Sequence, residues 1–248
     1  MRALAFLILA LFLFLQQGFC LNLEWKELHE RADKNGLEGA LVYLEGRPDS
    51  AEGLYILGLA YLNLHRDREA QAAFERLLGL YPGTTEARWG LAEVMRRKHE
   101  LDKGGALLAQ IIREKPDFSP AYISLAYLKY TEMDFKESVA LAYKVIAQGE
   151  SRVDLSNYTR AYLLVGGGRG MLAHYGGPIS KVANGTAVLP NLKKAEELQP
   201  DSPAVLFGLG SFYFLAPGIA GGDKEKAAAY LEKTVQKDPR FADAYVRL

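Results

Sequence analysis

Residues 54–82 read LYILGLAYLNLHRDREAQAAFERLLGLYP, and this stretch decides the fold. Its apolar and small residues recur at helical spacing in two runs that a polar turn separates: Leu54, Leu57, Gly58 and Tyr61, then Ala70 and Phe74, then Pro82. Small side chains at Gly58 and Ala70 let two antiparallel helices approach closely, the large side chains fill the seam, and a proline ends the second helix. The stretch therefore predicts a helical hairpin.

The same pattern returns 34 residues later, with Leu91 and Ala92 in the places of Leu57 and Gly58, then Gly104, Leu108 and Pro116 in those of Ala70, Phe74 and Pro82. It resembles the tetratricopeptide repeat, W-x2-L-G-x2-Y, A-x3-F, P, with Leu54 in place of the tryptophan. The resemblance implies an all-α fold, an α-solenoid of antiparallel helix hairpins wound into a right-handed superhelix of about five to six units.

Three of these repeats are predicted over residues 51–152, although the third has Glu150 where the closing proline is expected. Residues 21–50 predict a degenerate unit of two helices that Pro48 closes. Its apolar positions are Trp25 and Leu28 on the first helix, then Leu37, Leu41 and Leu44 on the second. We expect this unit to cap the array.

Residues 153–248 continue the repeats, but with insertions at about 166–190 and 216–222 and with a half-unit at the end. The first insertion begins with four glycines, Gly166, Gly167, Gly168 and Gly170. A phosphate loop is not predicted here because no Gly-Lys-Ser/Thr follows the glycines. We expect them to break the helix and open a loop.

The N-terminal residues 1–20 have the layout of a secretory signal peptide, with Arg2, an apolar run of 13 residues from Ala3 to Leu15, and small residues at Gly18 and Cys20. The run is too short for a comfortable permanent anchor, since crossing a bilayer takes roughly 20 apolar residues. We predict cleavage after Cys20 and export, to the periplasm if the source is bacterial. A lipid anchor at Cys20 is the less favoured alternative, because Phe19 and Gln17 suit a lipoprotein signal poorly.

Composition favours no charged partner class, because 30 basic residues balance 30 acidic ones. We therefore expect no nucleic acid, and a membrane link only through the signal segment. Local motifs of hydrolases and zinc enzymes are absent from the sequence, and His65 and His99 lie one repeat apart, which is too far to share a metal ion easily. The sequence predicts no enzyme, no metal site and no cofactor.

The resemblance also implies a binding site, because the first helices of successive repeats in this family line a concave groove that commonly holds a peptide. The inward-facing positions transfer to Tyr55, Leu59, Trp89, Glu93, Arg97, Tyr127, Tyr130, Phe207 and Phe214. Aromatic side chains often dominate binding energy at protein interfaces. The alternative is that several of these rings pack between neighbouring repeats instead.

A second candidate is the first insertion, which contains His174 and Tyr175. Departures from a regular repeat often map to loops that carry function. The competing interpretation is structural, with residues 163–189 folding back on the solenoid or forming a contact between copies of the chain.

These observations predict an exported scaffold that mediates protein–protein interaction in the cell envelope. The alternative is a small-ligand accessory protein of a solute transporter. The stretch Pro217–Asp223, followed by Lys226 and Ala227, is loosely similar to the T-component proteins of TRAP transporters, which are also exported helical-repeat proteins.

Overall fold

The computed structural model describes residues 24–248, and every regular element among them is helical. The predicted signal peptide and the proposed lipid anchor at Cys20 lie outside the described residues. Consecutive helices pack in pairs, which confirms the predicted all-α class of helical hairpins. The chain divides into two compact units, unit 1 up to Pro116 and unit 2 from Asp117 to Leu248.

Unit 1 contains α1 (Trp25–Leu44), α2 (Ala51–Asn63), α3 (Asp67–Leu80), α4 (Thr85–Arg97) and α5 (Leu101–Glu114). Helix α1 is broken at Gly36, where φ is 59° and ψ is −153°, at the point where the sequence predicts a change of helix. Leu28 is buried on the first part of α1, whereas Leu41 on the second part is exposed and contributes little to packing.

In the hairpin of α2 and α3, a small residue on one helix faces a large side chain on the other, as predicted. Phe74 is fully buried, and a methyl group added at Gly58 would overlap its ring. The ring also faces Gly90 of the next helix, where an added Cβ would lie 2.5 Å from it. One phenylalanine therefore fixes the spacing of α2, α3 and α4, and interiors packed this tightly tolerate little added volume.

The regular hairpins share one turn geometry. His65, His99 and Met133 have φ angles of 56°, 60° and 62°, and these residues follow one another at the 34-residue period. After each of them, the next backbone N–H bonds to a carbonyl five residues earlier, as Arg66 does to Tyr61 at 2.9 Å. This bond closes the first helix with a Schellman motif. The backbone conformation of the turn therefore repeats with the same 34-residue period as the sequence.

Unit 2 contains α6 (Ser119–Thr131), α7 (Phe135–Gln148), α8 (Leu155–Tyr175), α9 (Pro178–Gly185), α10 (Val188–Leu198), α11 (Pro203–Leu215), α12 (Lys224–Lys237) and α13 (Ala242–Arg247). A short 3₁₀ helix, Gly218–Ala220, forms the second insertion. Aspartates begin three of the helices, since Asp134, Asp154 and Asp223 accept backbone N–H bonds in the first turns of α7, α8 and α12.

The expected helix break at the glycine cluster is wrong. Helix α8 continues through all four glycines and reaches Tyr175, so it has 21 residues against 13 in α6. The glycines permit close packing instead: a Cβ at Gly168 would lie 2.5 Å from Cγ2 of Val139, and one at Gly166 would lie 2.8 Å from Cδ2 of Leu192. Tertiary contacts with α7 and α10 therefore outweigh the low helix propensity of glycine.

Candidate partner-binding surfaces

The first-helix positions of unit 1 that were predicted to line a groove are buried. Tyr55 is 0% exposed, and Leu59, Trp89 and Glu93 are also buried. His29 on α1 covers this face: its Nε2 atom lies 2.7 Å from the hydroxyl of Tyr55, and its ring centroid lies 5.2 Å from that of Trp89. The groove prediction is wrong for these four residues, because α1 packs on the surface that they were expected to leave open.

The two charged residues among the predicted groove positions, Glu93 and Arg97, are also bonded within unit 1. Glu93 pairs with Arg96 at 2.5 Å, and Arg97 approaches the same carboxylate at 3.6 Å. Arg97 donates in addition to the carbonyl oxygen of Leu62 at 2.7 Å and pairs with Asp67 at 3.2 Å. These bonds tie α4 to the turn between α2 and α3. The arrangement has the features of a structural network rather than of an open binding site.

In unit 2 the corresponding residues keep accessible surface. Tyr127, Tyr130 and Phe207 are half-buried, and Phe214 is exposed. Tyr130 packs edge-on against Phe135 at 5.2 Å between ring centroids. The ring of Phe207 meets that of Phe241 at 4.9 Å. The structure therefore leaves the aromatic positions of unit 2 available, and not those of unit 1.

Arg247 is a functional candidate that the sequence analysis missed. Its guanidinium lies 5.1 Å from the ring centroid of Phe207, within the range of a cation–π contact. It also acts electrostatically on Tyr130, where burial raises the pKa and the nearby Arg247 charge lowers it. Arg247 thus links α13 with two of the predicted aromatic positions. The signal available in the sequence was a cation on the terminal half-unit.

The first helices of unit 2 are almost free of carboxylates. Helices α6, α8 and α11 contain no Asp or Glu, and α13 contains only Asp243, whereas the cations on these four helices are Lys129, Arg160, Arg169 and Arg247. Burial raises the pKa of Tyr162 to about 12, with help from a hydrogen bond to Tyr158, so this phenol stays neutral. Lys129 pairs with Glu132 and Arg169 donates to Asn184, so the cation beside the rings of Tyr130 and Phe207 is Arg247. A surface with aromatic rings and this cation is complementary to an anionic partner.

Phe214 at the end of α11 is engaged by its own unit. The ammonium of Lys224 lies 3.7 Å from its ring centroid and donates to its carbonyl oxygen at 2.8 Å. This contact joins the two ends of the second insertion. Phe214 therefore belongs to the turn of this hairpin.

The first insertion consists of the extra turns of α8 and the short helix α9. His174 and Tyr175 are exposed at the end of α8, and Tyr175 stacks on Phe135 with 6.1 Å between ring centroids and an angle of 7°. Helix α9 folds back on α8, as one of the two competing interpretations expects. Over residues 24–248 the structure contains no cluster of three or more side chains able to hold a metal ion.

Comparison with known proteins places two segments in one family. Residues 66–126 match one tetratricopeptide repeat model and residues 204–240 match another. No curated protein matches the chain.

Solved structures of other proteins share the fold. A thermophilic tetratricopeptide protein of Thermus thermophilus has 17% sequence identity and a TM-score of 0.60, over 80% of this chain and 96% of that one. PilF of Pseudomonas aeruginosa has 13% identity and a TM-score of 0.57, over 82% of each chain. A chain of the APC/C heterotetramer Cut9–Hcn1 has 14% identity and a TM-score of 0.52, over 92% of this chain and 48% of that one.

The family matches fall on α3 to α6 and on α11 to α12, and the helical hairpins of both units follow the same repeat. The sequence period and the turn geometry agree with these matches, and residues 66–126 and 204–240 of the chain are tetratricopeptide repeats.

Proposed function

We propose that this protein is an exported, non-catalytic scaffold that holds a protein partner in the cell envelope through the first-helix surface of unit 2. The observation that carries the proposal is the absence of carboxylates from α6, α8 and α11, together with half-buried aromatic rings at Tyr130 and Phe207 and the cation of Arg247 beside them. The tetratricopeptide fold supports a scaffold role. One protein of similar fold is part of the Cut9–Hcn1 heterotetramer.

The chemistry of this surface selects an acidic peptide segment that also carries apolar side chains. Apolar groups would cover the rings, and a carboxylate would approach Arg247. Burying an ion pair at the centre of an interface makes the loss of either partner costly. Unit 1 contributes less to this proposal because its corresponding side chains are buried under α1.

The test is a binding titration with a panel of labelled peptides that share apolar residues and differ in charge. Acidic peptides should bind the full chain more tightly than neutral or basic ones. The Arg247→Glu variant should weaken that binding by about tenfold or more. Arg240→Glu is the matched control, because Arg240 is an exposed cation in the turn before α13, and its change should leave the affinity within about twofold. Equal losses in both variants, or no preference for acidic peptides, would contradict the proposal.

Export is tested separately. Expression of the full chain in a bacterial host, followed by cell fractionation and mass spectrometry of the N-terminus, should yield a mature protein outside the cytoplasm that begins at Leu21. Recovery of the intact chain in the cytoplasm would contradict the localisation and leave the peptide titration unaffected.

A further inference from the structure

Helix α9 is amphipathic, but its polar side faces the protein and its apolar side faces the solvent. Its uncharged polar residues face inward: Ser180 donates to the carbonyl oxygen of Leu172 at 2.8 Å, and Asn184 accepts from Arg169 at 3.0 Å. Its apolar residues face outward, with Ile179 87% exposed and Val182 69% exposed. These two lie three positions apart and so share one face of the helix. A surface helix normally turns its apolar side toward the protein, so the face that Ile179 and Val182 form is built for another environment.

This face belongs to a longer apolar edge of unit 2. Helices α7 and α8 run antiparallel, since Gly168 faces Val139 and Tyr175 stacks on Phe135. Helices α8 and α11 run parallel because α10 runs back between them through short turns. The carboxyl ends of α6, α8 and α11 therefore lie at one edge. We name the exposed side chains there the apolar edge: Met133, Tyr175, Ile179, Val182, Leu215 and Ile219.

The apolar edge consists of separate side chains that project from turns, from helix ends and from one short helix. In the second insertion, Ile219 is fully exposed, while Ala220 and Gly222 both donate to the carbonyl of Pro217, at 2.8 and 3.0 Å. Met133 lies in a turn whose backbone is closed in the same way. Such side chains can enter the acyl boundary of a bilayer while the backbone that bears them stays at the level of the headgroups.

The charge around α9 has one sign. Residues 155–195 contain no Asp or Glu, although the whole chain has 30 of them. Lys181 is exposed beside the apolar face, and Lys224 is exposed at the second insertion. Of the acidic residues near the edge, Glu132 pairs with Lys129 at 2.8 Å and Asp223 pairs with Lys226 at 3.2 Å, while Asp134 caps α7 and accepts the backbone N–H of Glu137. Apolar side chains flanked by lysine are the composition of helices that bind anionic membrane surfaces.

We infer that the apolar edge of unit 2 docks on the surface of a bilayer that contains anionic lipids, with Ile179, Val182 and Ile219 entering the acyl boundary and Lys181 contacting headgroups. Among the residues that the structure describes, no helix is long and apolar enough to cross a membrane. The contact is therefore one of attachment to the surface. It is independent of the peptide-binding surface proposed above.

Depth-dependent fluorescence of the full chain tests this inference. A tryptophan is introduced by Ile179→Trp, with Leu155→Trp as the matched control, because Leu155 is an exposed apolar residue at the opposite end of α8. Vesicles of phosphatidylcholine are compared with and without phosphatidylglycerol, and with acyl chains that carry bromine as a contact quencher. The signal of the parent chain, which has two tryptophans, is subtracted. This readout is local, so membrane binding by residues 1–23 does not imitate it.

The expected result is a blue shift and quenching by brominated anionic vesicles for Ile179→Trp and neither effect for Leu155→Trp. Adding Lys181→Glu to the Ile179→Trp chain should reduce the quenching. Three outcomes would overturn the inference: equal quenching at both positions, no quenching at either, or a blue shift of Ile179→Trp that needs no lipid and grows with protein concentration. The last would instead place a second copy of the chain on the edge.

Discussion

The imidazole of His29 and the phenol of Tyr55 meet in the interior of unit 1, where Nε2 and the hydroxyl oxygen lie 2.7 Å apart. Both side chains are buried, and the bond joins the degenerate helix α1 to the first regular hairpin. Removing one member of a buried hydrogen-bonded pair leaves the desolvation cost of the other uncompensated.

We therefore expect Tyr55→Phe to lower the free energy of unfolding by about 1–2 kcal/mol. Urea denaturation followed by circular dichroism measures it. Tyr245→Phe is the control, since Tyr245 is exposed, and it should change stability by less than about 0.5 kcal/mol. Equal stability of the Tyr55→Phe and parent proteins would show that the pair does not hold α1 in place.

Alanine substitutions at two neighbouring glycines of α8 should change the stability of the protein in opposite directions. At Gly168 a Cβ would lie 2.5 Å from Cγ2 of Val139, and this β-branched side chain has little freedom to move away. Gly168→Ala should therefore destabilise the protein by about 1–3 kcal/mol.

At Gly167 the atom nearest to an added Cβ, on Tyr130, would lie at an ordinary 3.6 Å. Gly167→Ala should therefore stabilise the protein by about 0.5–1 kcal/mol, through the helix propensity of alanine. Thermal unfolding of the two variants checks the signs, and the same sign for both would contradict the packing described for α8.

His99 closes its hairpin with a φ of 60°, a conformation that costs energy for a residue with a Cβ. We expect His99→Gly to raise the free energy of unfolding by about 0.5–1 kcal/mol, a net of relieved strain and added freedom in the unfolded chain. The comparison is His174→Gly, where a helical residue of α8 is replaced and stability should fall. Chemical denaturation measures the free energy of unfolding of both variants. A lower value for His99→Gly than for the parent protein would mean that the His99 side chain has a packing role.

Stability at acid pH should depend on the network that joins α10 to α12. Lys193 donates to Glu196 at 2.7 Å, and the hydroxyl of Tyr230 donates to the other carboxylate oxygen at 2.7 Å. Burial alone would raise the pKa of Glu196, but the bonds from Lys193 and Tyr230 outweigh it and lower that pKa. A carboxyl group with a lowered pKa stabilises the fold above its unfolded-state pKa and loses this contribution as the pH falls through its folded-state pKa.

Glu196→Gln should accordingly be less stable than the parent protein at neutral pH, by about 1 kcal/mol, and the difference should disappear in acid, below the folded-state pKa of Glu196. Urea midpoints measured across a pH series test this. Glu197→Gln is the matched control, because Glu197 pairs with Lys194 on the exposed surface, and its effect should be small throughout. A difference that persists at low pH would assign the loss to packing rather than to charge.

The repeat made most of the fold predictable, because each residue type in it has a local packing task. Gly58 and Phe74 meet as the spacing predicts, and Pro82 follows the end of α3. The glycines of α8 were misjudged because propensity describes an isolated helix, whereas Val139 and Leu192 are brought to them by the fold. The spacing of residues in the sequence does not predict the contacts of Val139 and Leu192 with these glycines.

The binding surface was less predictable than the fold. Family resemblance assigned groove positions to both units alike, but α1 is degenerate, and the repeat pattern does not show that His29 would cover Tyr55 and Trp89. Arg247 was missed because its place beside Phe207 depends on how α13 packs on α11. The role as a transporter accessory protein stays a prediction, as does the signal peptide.

Hydrogen–deuterium exchange of the full chain with and without a bound acidic peptide tests the central claim most directly. The peptide is expected to protect amides of unit 2 in α6, α11 and α13, around Tyr130, Phe207 and Arg247, and to leave those of α2 and α4 in unit 1 unchanged. Protection confined to α2 and α4, with no change in unit 2, would contradict that claim.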